Sequence, residues 1–426
     1  MSTLSASAPV STAPDLGAAA RLVCRECGAQ APLGPSYACT DCFGPLEVGY
    51  DYGAISPISR KTIEAGPRNI WRYRDLLPVP AGIADIPNLE PGWTPLVRAH
   101  NLGRELGLRS LWVKDDSANP THSFKDRVVA VALAAAREFG FTTLACPSTG
   151  NLANAVAAAA ARAGIRSVVL VPSDLEAQKI VMTAVFGGTL VTVEGTYDDV
   201  NRVASQLAEE HEDWAFVNVN VRPYYAEGSK TLGFEVAEQL GWRLPSQVVI
   251  PVASGAQLTK VDKAFGELGT LGLVERTPYK IFGAQATGCS PVAAAFKAGQ
   301  DVVAPVRPNT IAKSLAIGNP ADGPYVLDTC RRTRGAVEDV SDEEVVEGIR
   351  LLARTEGIFA ETAGGVTVAV LRKLLEAGQL DPDADTVVFN TGDGLKTIDA
   401  VAGSVGPTAH ITASAAAFEA AGLALS

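Results

Sequence analysis

Two Cys-x-x-Cys pairs, Cys24-Arg-Glu-Cys27 and Cys39-Thr-Asp-Cys42, stand close together near the N-terminus, each followed within two positions by glycine (Gly28, Gly44). Four thiolates complete the tetrahedron that Zn²⁺ prefers and leave no ligand position open for chemistry, so the pattern reads as a structural zinc site. Four unmetallated thiols or two disulfides are the competing reading. The other cysteines, Cys146, Cys289 and Cys330, are scattered singly, which fits a reducing compartment better than a disulfide framework.

A second set of residues suits carbonyl chemistry. Lys125, within Asn119-Pro-Thr-His-Ser-Phe-Lys125-Asp-Arg127, stands where a long apolar helix begins. The positive end of the helix dipole disfavours an ammonium there and favours the free amine that Schiff-base formation needs. A lysine on a solvated helix start is the plainer alternative. Further on, Pro147-Ser148-Thr149-Gly150-Asn151 opens another helix with small residues and an amide, a place for a carboxylate or a simple N-cap. Ser254, Gly255, Ala256 and Gln257 follow a strand, and their backbone N–H groups could cradle a phosphate. Near the end comes Asn390-Thr391-Gly-Asp-Gly-Leu395-Lys396. Each turn is a weak signal by itself, and their order carries the information.

The elements that must position these groups read as an α/β layer. Apolar runs at 111–113, 143–146, 167–171 and 190–194 alternate with Ala-rich helical runs at 126–138 and 151–163. Parallel strands covered on both faces give such continuous apolar runs. A second series follows, with strands at 248–252, 281–285 and 386–390 and helices at 342–355 and 365–376. Residues 1–20, rich in Ser, Ala and Pro, read as a disordered tail without the charged and apolar regions of a secretory signal. A Pro/Gly-rich connection runs from Pro57 to Pro95.

Composition narrows the class. Of 426 residues, 47% are hydrophobic and 19% charged, which excludes global disorder, collagen-like repeats and coiled coils. With 36 Lys+Arg against 47 Asp+Glu the net charge is −11, which repels nucleic acid and anionic lipid. No uncharged apolar run approaches the ~18–20 residues of a membrane span.

Taken in order, the lysine before a helix, Ser148-Thr-Gly-Asn151, the small-residue loop and Thr391-Gly-Asp-Gly-Leu-Lys396 resemble the fold-type-II pyridoxal-phosphate enzymes, and within them the threonine synthases. Glu227-Gly-Ser-Lys230-Thr and Ala316-Ile-Gly-Asn-Pro320 add to the resemblance, which covers nearly all of residues 23–401 and is highly specific. The cysteine module resembles the zinc-ribbon-like segment of many members. The resemblance implies two three-layer α/β lobes of the tryptophan-synthase-β type behind a zinc ribbon at 21–50. It assigns 51–112 and 245–426 to a larger cofactor-binding domain, and 113–244 to a smaller one carrying Lys125 and the carboxylate turn.

For chemistry, the resemblance makes Lys125 the lysine that carries pyridoxal 5′-phosphate and moves protons at Cα, Cβ and Cγ. Ser148, Thr149, Gly150 and Asn151 would hold the substrate α-carboxylate, with Asn151 also meeting the ring O3′. Ser254, Gly255, Ala256 and Gln257 would hold the cofactor phosphate, and Thr391 would face the pyridine nitrogen. The expected reaction turns O-phospho-L-homoserine and water into L-threonine and phosphate, in a cytoplasmic homodimer. Arg222 and Lys230 are the expected cations for the substrate phosphate. Same-fold alternatives are a cysteate synthase or a serine/threonine deaminase, and a non-catalytic zinc-ribbon binder is the alternative from another class. Two departures stand out: Ala253-Ser-Gly-Ala-Gln257 replaces a Gly-Asn-Ala-Gly-Asn loop, and Arg222-Pro-Tyr-Tyr225 replaces Asn-Pro-x-Arg, displacing the arginine. His122, where relatives often have Gly, is either catalytic or a loop histidine satisfied by its neighbours.

Overall fold

The computed structural model describes residues 14–55, 58–83 and 87–422. Residues 1–13 of the expected tail, and Pro57 of the Pro/Gly-rich connection, lie outside the described residues. The rest of that tail is folded: Leu16 is buried, and Ala19–Cys24 is a strand. Its alternation of outward and buried positions is the period-two pattern of a half-buried strand. Ala19–Cys24 pairs antiparallel with Gln30–Ala31 on one side and Leu46–Tyr50 on the other, making the three-stranded cysteine ribbon.

Two further sheets form the body. In the smaller one, strands Thr189–Val193, Arg166–Pro172, Thr143–Pro147 and Trp214–Phe216 lie side by side in that order, all parallel. The larger sheet runs Val337–Val340, Lys280–Ala286, Gln247–Pro251, Asp385–Asn390 and Ser110–Asp115 in parallel, with Leu96–Arg98 antiparallel at the edge. Every residue of the inner strands Thr143–Pro147 and Gln247–Pro251 is buried, because helices cover both faces. The outer strand Thr189–Val193 is half open and correspondingly mixed in its polarity.

The boundary between the lobes differs from the expected 113–244. Strand Ser110–Asp115 pairs with Asp385–Asn390 in the larger sheet, so residues 113–115 belong there. Helix Lys230–Gln239 puts Leu232, Phe234 and Val236 into the same core as Val248 and Ile250 of the larger sheet. A buried ion network holds this junction: Arg127 pairs with Asp116 at 2.7 Å and Glu235 at 2.5 Å, and Lys114 pairs with Glu235 at 2.6 Å.

In open parallel sheets, ligands bind beyond the carboxyl ends of the strands. Here Thr143–Pro147 runs into the 148–151 turn, Gln247–Pro251 into the 252–255 loop, and Asp385–Asn390 into Thr391. The order of the motifs in the sequence therefore becomes proximity in space.

Candidate active site

Lys125 is the first residue of helix Lys125–Glu138, half-buried on the wall of a cleft between the two sheets. Its Nζ donates to Tyr225 Oη at 2.9 Å. Burial pulls the Lys125 ammonium down to about 8, and the carboxylate of Glu361 opposes that shift. An amine so placed is partly free at neutral pH, as nucleophilic attack on a carbonyl requires. The N–H of Phe124 donates to the Thr391 carbonyl at 3.0 Å, and Ser123 bridges Gly392, so the lysine loop and the C-terminal turn are laced together.

Asn151 begins helix Asn151–Ala163 behind Gly150, whose φ of 119° is one that a side chain rarely tolerates. Ser148 Oγ accepts from the N–H groups of Gly150 at 2.9 Å and Ala153 at 2.8 Å. Its capping role is therefore real, and its own hydroxyl proton is left to donate toward the cleft that Ser148, Thr149 and Asn151 line. Asn151 Nδ2 donates to both oxygens of Glu361, at 2.9 and 2.8 Å, and Asn151 Oδ1 accepts from Lys396 Nζ at 3.2 Å. Thr391 Oγ1 reaches Glu361 Oε1 at 3.4 Å. Burial also pulls the Lys396 ammonium down to about 8, again against Glu361.

On the opposite wall, Ser254, Gly255, Ala256 and Gln257 border the cleft. Gly255 caps helix Ala256–Thr270 at φ 101° and offers no side-chain cap, so the first-turn N–H groups stay free for an anion. Gln257 Nε2, Ser314 Oγ and Asn218 Oδ1, all on residues lining the cleft, are buried without a hydrogen-bond partner among the described residues. Buried polar atoms of this kind mark a place where a polar ligand belongs.

One expected site residue, Lys230, comes out elsewhere, and the two readings of His122 are separated. Lys230 does not line the cleft: its ammonium is fully buried, pairs with Glu227 at 2.8 Å and Glu267 at 3.0 Å, and donates to the Leu76 carbonyl at 2.8 Å. Two buried carboxylates need that counter-charge, which leaves none for a substrate. His122 is exposed, in the left-handed region at φ 61°, and is held through its backbone to Asn119 and Asp393. It is a turn residue. Arg222 does line the cleft, where its Nη2 donates to Asp322 Oδ2 at 2.6 Å.

Glu361, Tyr225, Asp322 and Lys396 carry the site's hydrogen bonding, and sequence reasoning gave them no role. A lone acid before the small residues Thr362-Ala-Gly-Gly365 was the available signal for Glu361. Asp322 had none.

In the ribbon, the Sγ atoms of Cys24, Cys27, Cys39 and Cys42 all lie within 4.8 Å of one another, and no disulfide joins them. Cys24 and Cys42 are 3.5 Å apart, and Cys27 and Cys39 3.7 Å. A tetrahedron with Zn–S of about 2.3 Å has edges of about 3.8 Å, so the four sulfurs fit such an ion.

A family model described as "Pyridoxal-phosphate dependent enzyme" matches residues 88–392, the span that holds every group of the cleft from Lys125 to Thr391. The chain belongs to this pyridoxal-phosphate-dependent enzyme family. The cleft fits the cofactor: a lysine of lowered basicity at one wall, and uncapped N–H groups with orphaned polar atoms at the other.

The chain is 38% identical to a threonine synthase of Methanocaldococcus jannaschii over 380 residues, 88% of this chain and 93% of that one. A threonine synthase of Methanosarcina acetivorans is 37% identical over 88% of this chain and 92% of its own. Among solved structures, diaminopropionate ammonia lyase from Escherichia coli superposes with a TM-score of 0.61 at 23% identity, covering 72% of this chain and 86% of that one. The processed threonine deaminase isoform 2 from Solanum lycopersicum gives 0.59 at 21%, covering 73% and 88%. At those identities the structures establish the fold. Among the described residues, no helix is long and apolar enough to cross a membrane.

Proposed function

We propose that this enzyme makes L-threonine from O-phospho-L-homoserine and water, releasing phosphate. The observation that carries the reading is Arg222: among the described residues lining the cleft, Lys125 and Arg222 are its cations, and with Lys125 holding the cofactor Arg222 is the one left for a second anion. A second, phosphorylated ligand needs such a cation. The relatives named threonine synthase support threonine as the product.

Pyridoxal phosphate, when bound, takes up the electron pair left as a proton departs from Cα. Lys125 would hold it, Asn151 would meet its ring oxygen, the N–H groups at 254–257 would bind its phosphate, and Thr391 would face its ring nitrogen. The free Lys125 amine removes the Cα proton and shuttles protons at Cβ and Cγ, kept in place by Tyr225 Oη. The C–O bond at Cγ breaks, and its electron pair leaves with the phosphate, whose charge Arg222 neutralises. Water then adds its oxygen at Cβ, one proton ends on Cγ and another returns to Cα, which completes threonine. Ser148 Oγ–H and the 149–151 turn hold the α-carboxylate, so that Cα–H points at Lys125 and not at solvent. The four ribbon sulfurs hold Zn²⁺ in a structural role.

A substrate panel tests the reading. O-phospho-L-homoserine should give threonine and phosphate in equal amounts, while L-serine and L-threonine give little 2-oxo acid. Faster ammonia release from serine or threonine, or cysteate from O-phospho-L-serine with sulfite, would replace it with a same-fold alternative.

A further inference from the structure

We infer that Arg25, a residue of the cysteine ribbon, positions and charges the substrate-facing guanidinium of Arg222 through Asp322. Asp322 is 4% exposed and stands between two arginines. Its Oδ1 accepts from Arg25 Nη1 at 2.9 Å, and its Oδ2 accepts from Arg222 Nη2 at 2.6 Å. Charge decides what this wall offers an anion. Arg222 with Asp322 alone is a neutral pair, the guanidinium cancelled by the carboxylate it touches. Within the triad that Arg25 completes, two guanidinium charges against one carboxylate leave one positive charge, so Arg222 is not fully cancelled by Asp322. Glu26, the nearby acid, accepts from Tyr325 Oη on the exposed side, where water screens it.

Arg25 is fixed independently of Asp322. Its guanidinium lies 3.5 Å from the centroid of the Tyr325 ring, and its backbone N–H donates to the Pro45 carbonyl at 3.0 Å. It stands between Cys24 and Cys27, so the geometry of the first knuckle sets where its side chain starts. The ribbon also grips the short helix that carries Arg222. The Gly34 N–H donates to Tyr224 Oη at 3.0 Å, Tyr224 Oη donates to the Gly34 carbonyl at 2.9 Å, and Tyr50 Oη donates to Glu227 Oε2 at 2.6 Å. Tyr37, between the two knuckles, reaches the cleft wall itself. Arg25 does not line the cleft, so it is a positioning residue, and the ribbon is part of the anion site.

The inference rests on the reading of Arg222 as the cation that meets the substrate phosphate. It is tested on zinc-loaded holoenzyme by calorimetric titration with inorganic phosphate and by steady-state kinetics with O-phospho-L-homoserine. Arg25→Ala should weaken phosphate binding and raise KM by about 10-fold, with kcat within twofold and the cofactor's absorption band unchanged. Arg25→Lys, which restores the charge, should recover most of the loss, and Arg25→Gln should behave like the alanine variant if the latter folds poorly. Unchanged phosphate affinity and KM in Arg25→Ala and Arg25→Gln would overturn the inference, as would a wild type that binds no phosphate, or an Arg25→Lys variant as impaired as alanine. If phosphate binding depends on Arg25 while the wild type leaves O-phospho-L-homoserine untouched, the arginine relay stands and the substrate assignment falls.

Discussion

Asn151 and Glu361, 210 residues apart, meet across the two sheets through a forked contact in which Nδ2 donates to both carboxylate oxygens at 2.9 and 2.8 Å. Glu361 thereby faces Lys125, Asn151, Thr391 and Lys396 at once, and its charge is what keeps the Lys125 ammonium from falling further than about 8. In the apoenzyme, capture of pyridoxal phosphate requires the free amine. Its rate should rise with pH through about 8 and then level, far below the 10.5 of an ordinary lysine. In Glu361→Gln burial loses its main opponent, so the midpoint should move to lower pH. A midpoint that stays or rises would remove Glu361 from this role.

Lys125→Ala should abolish turnover and leave the fold intact, since a first-turn lysine contributes little packing. Borohydride reduction of the wild-type holoenzyme should label the peptide containing Lys125. A label on another peptide, or phosphate release at the wild-type rate by the variant, contradicts the assignment.

Which residues reach the cleft was largely legible, because an amine at a helix start and small-residue turns after strands are local features: Lys125, Ser148, Thr149, Asn151, Ser254, Gly255, Ala256, Gln257 and Thr391 all line it. Apolar runs without alternation revealed the parallel sheets, since both faces are covered. Lys230 misled because a motif states which residue is present, not which carboxylates it is buried with. Glu361 and Asp322 were hidden for a related reason. Each acts on a partner more than 90 residues away, and no local period or spacing records such a contact. The strand at Ala19–Cys24 was missed because the Ser/Ala/Pro-rich composition before it resembles a tail up to the residue where pairing begins.

Arg127 is fully buried between Asp116 and Glu235. Burial favours protonation of Glu235, but Arg127 and Lys114 outweigh it and hold the carboxyl at about 2. Arg127→Met would leave buried charge unpaired, at a cost of about 3–5 kcal/mol in urea unfolding at neutral pH. In the wild type, Glu235's contribution is complete above its ordinary 4.5 and is lost as pH falls toward 2. The variant should lack most of that acid-labile stability. Equal stability at neutral pH would show the network to be dispensable.

Elemental analysis should find about one zinc per chain, bound by Cys24, Cys27, Cys39 and Cys42. Chelation should lower thermal stability, because metal binding contributes to the folding of its module. It should also weaken inorganic phosphate binding through the loss of Arg25, while the cofactor's absorption band persists. Metal-free protein with full stability and full phosphate affinity would separate the ribbon from the site.

The central claim is that phosphate leaves by cleavage of the Cγ–O bond and that water enters at Cβ. Turnover of O-phospho-L-homoserine in ¹⁸O-labelled water distinguishes this from hydrolysis of the ester. Mass spectrometry should find one ¹⁸O in the hydroxyl of the threonine formed and none in the phosphate released. Homoserine as product, with the label in the phosphate, would contradict the account.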